Sequence, residues 1–83
     1  MALQADLEHA IHAVAPRATM QPKRVNGRLS GLVIAEEFDP MTHLERQRAV
    51  WAKIREELGA RATKVGVLLQ YSPEEADAVA DTE

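Results

Sequence analysis

The 83-residue chain contains no cysteine and no long run of apolar residues. The first absence excludes a disulfide framework, a thiolate nucleophile and a thiolate metal site. The second excludes a membrane-spanning helix, which needs ~20 consecutive apolar residues. The first six residues also lack the basic start and apolar run of a signal peptide. We therefore expect a cytoplasmic protein with no membrane partner.

The size and composition of the chain are those of one small globular domain, predicted to span residues 1–83. A hydrophobic fraction of 46% is normal for folded chains and disfavours disorder. A chain this short supports only a modest core, worth ~3–5 kcal/mol net. The formal net charge of −3 argues against strong non-specific binding to nucleic acid, although it still allows a local basic patch.

The first half of the sequence predicts a helix followed by a hairpin. Apolar residues recur at three and four positions over about residues 3–15, which is the period of one helix face. The dipeptide Asn26-Gly27 predicts a hairpin turn, because both residue types tolerate positive φ. The two arms of this hairpin are predicted at 19–25 and 28–37.

A second helix is predicted at about residues 43–58. Thr42 and Glu45 form a capping-box pattern at its start, and Gly59 is a natural stop at its end. On a helical wheel the apolar residues fall within one arc, and they are Leu44, Val50, Trp51, Ile54 and Leu58. Gln47 lies in the middle of that arc, so we expect it to be buried and hydrogen-bonded near a strand.

The last part of the chain predicts a strand and a short helix. Over about residues 64–70, Val65, Val67 and Leu69 alternate and would share one face of a strand. The segment from Ser72 to Glu75 has the pattern of an N-cap, a proline at the first position and a glutamate at the third. The complete order, αββαβ with a short C-terminal helix, predicts an α+β fold with a three-stranded mixed sheet and its helices packed on one face.

Three segments in this order resemble the BolA family. LVIAEEF at residues 32–38 is similar to the family's strand ending in a small-acidic-x-Phe run. THLERQRAVW at residues 42–51 is similar to its capped helix, which opens with an Arg-His-Arg motif followed by Val and an aromatic residue. QYSPEE at residues 70–75 continues the match after the last strand. The resemblance covers about residues 3–76 and is most specific in residues 32–58.

The resemblance implies a BolA-like fold, related to the type II KH fold, and a non-enzymatic regulatory or adaptor role. Such a role would consist of binding a protein partner, for example a monothiol glutaredoxin, in iron–sulfur, redox or stress regulation. The alternative that it implies is a transcription regulator that binds DNA or RNA. Pull-down with a glutaredoxin and salt-dependent binding to nucleic acid would separate these two functions.

At two positions the chain departs from the family pattern. Gln47 stands in place of the histidine between the two arginines, and Lys64 stands where the family has a histidine at the start of the last strand. In the family, the second of these histidines helps to hold a two-iron, two-sulfur cluster together with a Cys or His from the first hairpin loop. Residues 20–28 contain neither residue type, and a protonated lysine offers no lone pair to iron. We therefore expect the scaffold without cluster ligation, and no cofactor.

The candidate binding residues are all basic. One group surrounds the hairpin turn, a second lies on the edges of the second helix, and one residue precedes the last strand: Lys23, Arg24, Arg28, Arg46, Arg48, Lys53, Arg55 and Lys64. Such positions could contact phosphate or an acidic partner. The alternative is an ordinary solvated surface, neutralised on the second helix by nearby glutamates.

No motif in the sequence predicts an enzyme. His9 and His12 are spaced by three on the first helix, but no third metal ligand lies near them in sequence. His43, at the start of the second helix, is read as a surface residue. No serine or threonine has a recognisable base around it, and the four glycines form no phosphate loop.

Overall fold

The computed structural model describes residues 3–81. Residues 1, 2, 82 and 83, which the predicted domain included, lie outside that range. The elements follow one another in the predicted order, as α1 (Leu3–Val14), β1 (Thr19–Val25), β2 (Arg28–Ile34), α2 (His43–Leu58), β3 (Val65–Tyr71) and α3 (Pro73–Asp81). Short 3-10 turns follow β2 at Glu36–Phe38 and α2 at Gly59–Lys64.

The three strands form one mixed sheet in the order β1-β2-β3. β1 and β2 are antiparallel, and the turn between them has φ values of 53° at Asn26 and 78° at Gly27, which confirms the predicted hairpin. β2 and β3 are parallel, with α2 as the crossover between them. The α+β fold class is therefore confirmed.

β2 is shorter than predicted, because it ends at Ile34 rather than at residue 37. The chain turns there into the Glu36–Phe38 segment, whose Phe38 ring is fully buried in the core. The ladder is completed by Ala35, whose N–H donates to the carbonyl of Tyr71 at 3.0 Å. Burial of a large aromatic ring thus accounts for the early end of the strand.

A bulge in β3 corrects the predicted face of that strand. Leu29 pairs with Val65, but Gly31 pairs with Leu68, so β3 contains one extra residue between these pairs. Val65 and Leu68 are therefore both buried, while Val67 and Leu69 are exposed on the opposite side. The prediction that Val65, Val67 and Leu69 share one face is wrong for Val65.

The two long helices cover one face of the sheet, as predicted. Leu7 and Ile11 of α1 and Val50 and Ile54 of α2 are fully buried in one core cluster with strand residues such as Val33. The capping predictions are confirmed at the starts of α2 and α3. Reciprocal hydrogen bonds join Thr42 to Glu45 and Ser72 to Glu75.

The buried side of α2 differs in part from the predicted arc. Its buried residues follow one another at every fourth position, as Arg46, Val50, Ile54 and Leu58. Leu44 and Gln47 lie off this row and are exposed, so the predicted burial of both was wrong. The Gln47 amide nevertheless lies 3.5 Å from the carbonyl of Leu68, near a strand as expected. Trp51 is half-buried and packs against the core.

Candidate partner-binding surface

Arg46 is buried and does not belong to a binding surface. Its side chain is only 3% exposed. Its Nε donates to the carbonyl of Phe38 at 2.9 Å, and its NH1 donates to the carbonyl of Gln70 at 3.1 Å and to the carboxylate of Glu75 at 2.6 Å. The guanidinium also lies 5.7 Å from the centre of the Phe38 ring. The prediction that Arg46 contacts a partner is corrected: it links α2 to the 36–38 turn, β3 and α3.

Glu75 is the acidic partner of this link. The hydrogen bond from Arg46 and that from the backbone N–H of Ser72 lower the pKa of Glu75 from 4.5 to about 2. The same carboxylate lies 3.9 Å from the Nε2 of His43 at the start of α2. Glu75 therefore attaches α3 to the rest of the fold while it caps that helix.

The other basic residues of α2 remain at the surface. Arg48 and Arg55 are exposed, and Lys53 is half-buried with its Nζ 3.5 Å from a carboxylate oxygen of Glu56. All three lie on the helix layer, which covers the opposite face of the sheet from the exposed Val67 and Leu69. The sheet therefore separates them from Lys23 and Arg28, and the two predicted basic groups do not form one surface.

The side of the sheet that α1 and α2 leave uncovered is a continuous surface, which we call the open face. It consists of Gln21, Lys23, Val25, Arg28, Ser30, Leu32, Val67 and Leu69. A groove of about 400 Å³ crosses it between the hairpin and β3. Lys23 and Arg28 lie beside aliphatic side chains, so the surface combines apolar area with positive charge.

The two other predicted cations near the sheet are Arg24 and Lys64. Arg24 pairs with the buried Leu29, which places it on the helix side of the sheet. Lys64 is exposed and comes directly before β3. Of the three hairpin cations, the structure brings Lys23 and Arg28 to the open face and turns Arg24 away from it.

Sequence reasoning missed the apolar residues of this surface. Val25, Val67 and Leu69 are 42%, 65% and 48% exposed. The signal that could have found them is that the strands are apolar on both faces, whereas helices on one side cover only one of them. Among the described residues there are five exposed large hydrophobic side chains, and three of them lie on the open face.

Charge is unevenly divided between the sheet and the rest of the chain. The three strands contain Lys23, Arg24 and Arg28 and no acidic residue, although the whole chain has 13 acidic residues. A chain of net negative charge thus presents a sheet of positive charge. This division favours an acidic partner at the open face.

Solved structures with a similar fold include BolA1, a BolA homologue and a Bol-like protein. A BolA protein homologue from Coxiella burnetii is 20% identical, with a TM-score of 0.62 over 93% of this chain and 99% of that chain. BolA1 from Arabidopsis thaliana is 15% identical, with a TM-score of 0.63 over 86% and 92%. A Bol-like protein from Babesia bovis is 15% identical, with a TM-score of 0.61 over 96% and 95%. No protein-family model and no curated protein matches the sequence.

The chain has a BolA-like fold. The resemblance seen in residues 32–58 and the complete arrangement of helices and strands therefore agree. Within residues 3–81, no helix is long and apolar enough to cross a membrane.

The residues of this BolA-like fold do not fit the cluster that the family resemblance implies. Lys64 stands directly before β3, and residues 20–28 offer no Cys or His. His9 and His12 lie on α1 and His43 at the start of α2, so none of the three belongs to the hairpin loop or to the beginning of β3. Among the described side chains there is no group of three that could hold a metal ion. His9 instead contacts Glu57, and the Nε2 of His12 lies 2.9 Å from the carbonyl of Ala18.

Proposed function

We propose that the chain is a non-enzymatic, BolA-like regulatory or adaptor protein that acts in the cytoplasm by binding a protein partner. The observation that supports this function is the open face, where Val25, Val67 and Leu69 are exposed together. Contiguous exposed apolar surface in a small domain marks a site of interaction. Since the sheet buries its other face against α1 and α2, the open face is the side that remains available.

A link to iron–sulfur, redox or stress regulation would operate through the partner. Lysine at position 64 and the hairpin without Cys or His supply no donor atoms for a cluster at neutral pH. We therefore propose contact with a partner such as a monothiol glutaredoxin without cluster ligation by this chain.

The test is a titration of the isotope-labelled chain with an apo monothiol glutaredoxin, followed by NMR. We expect a one-to-one complex that forms without iron and sulfide and shifts resonances of β2 and β3. Repeating the titration with iron and sulfide should give no absorption band that depends on a ligand from this chain. Failure to form any complex, in either condition, would contradict the glutaredoxin version of the proposal.

The alternative function, a regulator that binds nucleic acid, retains some support from the exposed Lys23, Arg24 and Arg28 around the hairpin turn. Arg46 does not support this alternative, because its side chain is buried and cannot contact nucleic acid. The same titration with duplex DNA and single-stranded RNA tests it. Binding that weakens steeply between 50 and 200 mM salt, as roughly expected for several phosphate contacts, with no glutaredoxin complex, would establish the alternative instead.

A further inference from the structure

We propose that the open face binds an amphipathic helix of a protein partner, with an apolar side flanked by Asp and Glu. The inference rests on the proposed function and names the partner's chemistry and the surface that receives it. Three features carry it: the exposed aliphatic side chains, the dimensions of the sheet and the sign of the charge around the groove.

The apolar feature consists of four aliphatic residues that share one groove, Val25, Leu32, Val67 and Leu69. An apolar sheet face is stable when another layer packs on it, and α1 and α2 already form that layer on the other side. A partner helix on the open face would complete a sandwich of helix, sheet and helix.

The dimensions of the sheet suit a short helix. Each strand has seven residues, which corresponds to about 23 Å at 3.3 Å per residue. A helix of about 15 residues has the same length at 1.5 Å per residue. One short amphipathic helix therefore matches the length of the strands that border the groove.

The charge of the groove selects an acidic helix. Lys23 and Arg28 flank the aliphatic side chains, and no strand contains an acidic residue. Carboxylates along the edges of a docked helix would meet these cations, whereas lysines there would be repelled.

The same observations disfavour two other occupants. A second copy of the chain, packed with its open face on this one, would bring the positive charges of Lys23 and Arg28 close to those of the other copy, where they would repel each other. Single-stranded nucleic acid usually binds sheet surfaces by stacking its bases on aromatic rings. The groove is lined instead by aliphatic side chains.

The experiment uses the full chain and two fluorescein-labelled synthetic helices of about 15 residues, the length that matches the strands. Both carry leucine along one side, and the flanking positions are Glu in one peptide and Lys in the other. Fluorescence anisotropy should show binding of the Glu peptide and at least about tenfold weaker binding of the Lys peptide. Equal affinity for the two peptides would overturn the proposal.

Protein variants locate the binding site. Val67→Asp should weaken binding of the Glu peptide about tenfold or more, and since Val67 is 65% exposed this variant retains its core. Lys23→Glu combined with Arg28→Glu should reverse the preference between the peptides. Leu44→Asp is the matched control, because Leu44 is 58% exposed on α2. A loss for Leu44→Asp equal to that for Val67→Asp would contradict the assignment to the open face.

Two further outcomes would assign the open face to another occupant and overturn the proposal. One is a concentration-dependent dimer, seen in analytical ultracentrifugation, that Val67→Asp dissociates. The other is a single-stranded oligonucleotide that displaces the Glu peptide and binds more tightly than it does.

Failure of the inference can be told apart from failure of the proposed function. If Val67→Asp still forms the glutaredoxin complex and the unchanged chain does not bind the Glu peptide, the proposed function is supported and the helix-binding inference is contradicted. If the Glu peptide binds as expected and no glutaredoxin complex forms, the helix-binding inference is supported and glutaredoxin is excluded as the partner.

Discussion

The guanidinium of Arg46 donates hydrogen bonds to three separate segments of the chain, at Phe38, Gln70 and Glu75. Because the Arg46 side chain is 3% exposed, its removal leaves the carbonyls of Phe38 and Gln70 without their donor where water has little access. We expect Arg46→Ala to lower the free energy of unfolding by about 2–4 kcal/mol. Urea unfolding followed by circular dichroism measures this loss.

The control for this prediction lies two residues along the same helix. Arg48 is exposed, so Arg48→Ala should change the free energy of unfolding by about 0.5 kcal/mol or less. Arg46→Lys should fall between the two, because an ammonium group keeps the charge but not the planar fork that reaches several acceptors. Equal stability of Arg46→Ala and Arg48→Ala would show that the buried hydrogen bonds contribute nothing.

A second prediction at the residue scale concerns Gly66 in the β3 bulge. A Cβ atom there would lie 2.6 Å from the Oγ of Ser30, which accepts the N–H of Val67 at 3.1 Å. We expect Gly66→Ala to destabilise the fold by about 1–3 kcal/mol, because the hydroxyl must move and lose that bond. Thermal unfolding measures the change.

The double variant separates the clash from other effects of the alanine. Ser30→Ala alone should be destabilising, because the Val67 N–H loses its acceptor. Gly66→Ala combined with Ser30→Ala should cost less than the sum of the two single changes, since the clashing atom is gone. Strict additivity would rule out the contact between Gly66 and Ser30 as the cause.

At the scale of elements, the Glu75 carboxylate links α3 to α2. Glu75 accepts hydrogen bonds from Arg46 and from the backbone of Ser72, and its pKa falls from 4.5 to about 2. A carboxylate with a lowered pKa in the folded state stabilises the fold above its unfolded pKa. That contribution is fully present above about pH 4.5 and is lost as the pH falls towards about 2.

The measurement compares the chain with Glu75→Gln across this range of pH. The urea midpoint of the unchanged chain should exceed that of Glu75→Gln by a constant amount above about pH 5. This difference should shrink steadily as the pH falls towards 2. NMR titration of the Glu75 carboxyl carbon should give a midpoint near 2. A midpoint near 4.5 would mean that Arg46 does not hold this carboxylate in solution.

Signals within a few residues of one another predicted most of the helices, strands and turns. Features that depend on contacts between distant parts of the chain could not be predicted from the sequence. The capping boxes at Thr42 and Ser72 and the turn at Asn26 act over three or four residues, so the sequence contains all the interacting groups. The β3 bulge depends on how β3 aligns with β2, and no signal within β3 fixes that alignment. The burial of Arg46 likewise depends on carbonyl groups far along the chain, at Phe38 and Gln70.

At the scale of the whole molecule, charge is divided between two layers. The strands carry only basic charged residues, and all the acidic residues lie in helices, turns and termini. The sequence predicted the cations Lys23 and Arg28 as candidates, but it could not show that aliphatic side chains would surround them. That combination required the bulge, because it places Val67 and Leu69 on the side of the sheet opposite to the buried Val65.

This division of charge and apolar area predicts separate effects on the two rates of binding. Charges at the rim of a site steer association, whereas buried apolar contacts govern dissociation. In stopped-flow measurements with the Glu peptide, Lys23→Glu should lower the association rate and make it less dependent on salt. Val67→Ala, which removes apolar area without adding charge, should mainly raise the dissociation rate, and Arg55→Glu, an exposed site on the helix layer, should change neither rate strongly. A Lys23→Glu effect confined to dissociation would contradict steering, because a cation at the rim acts before the apolar surfaces meet.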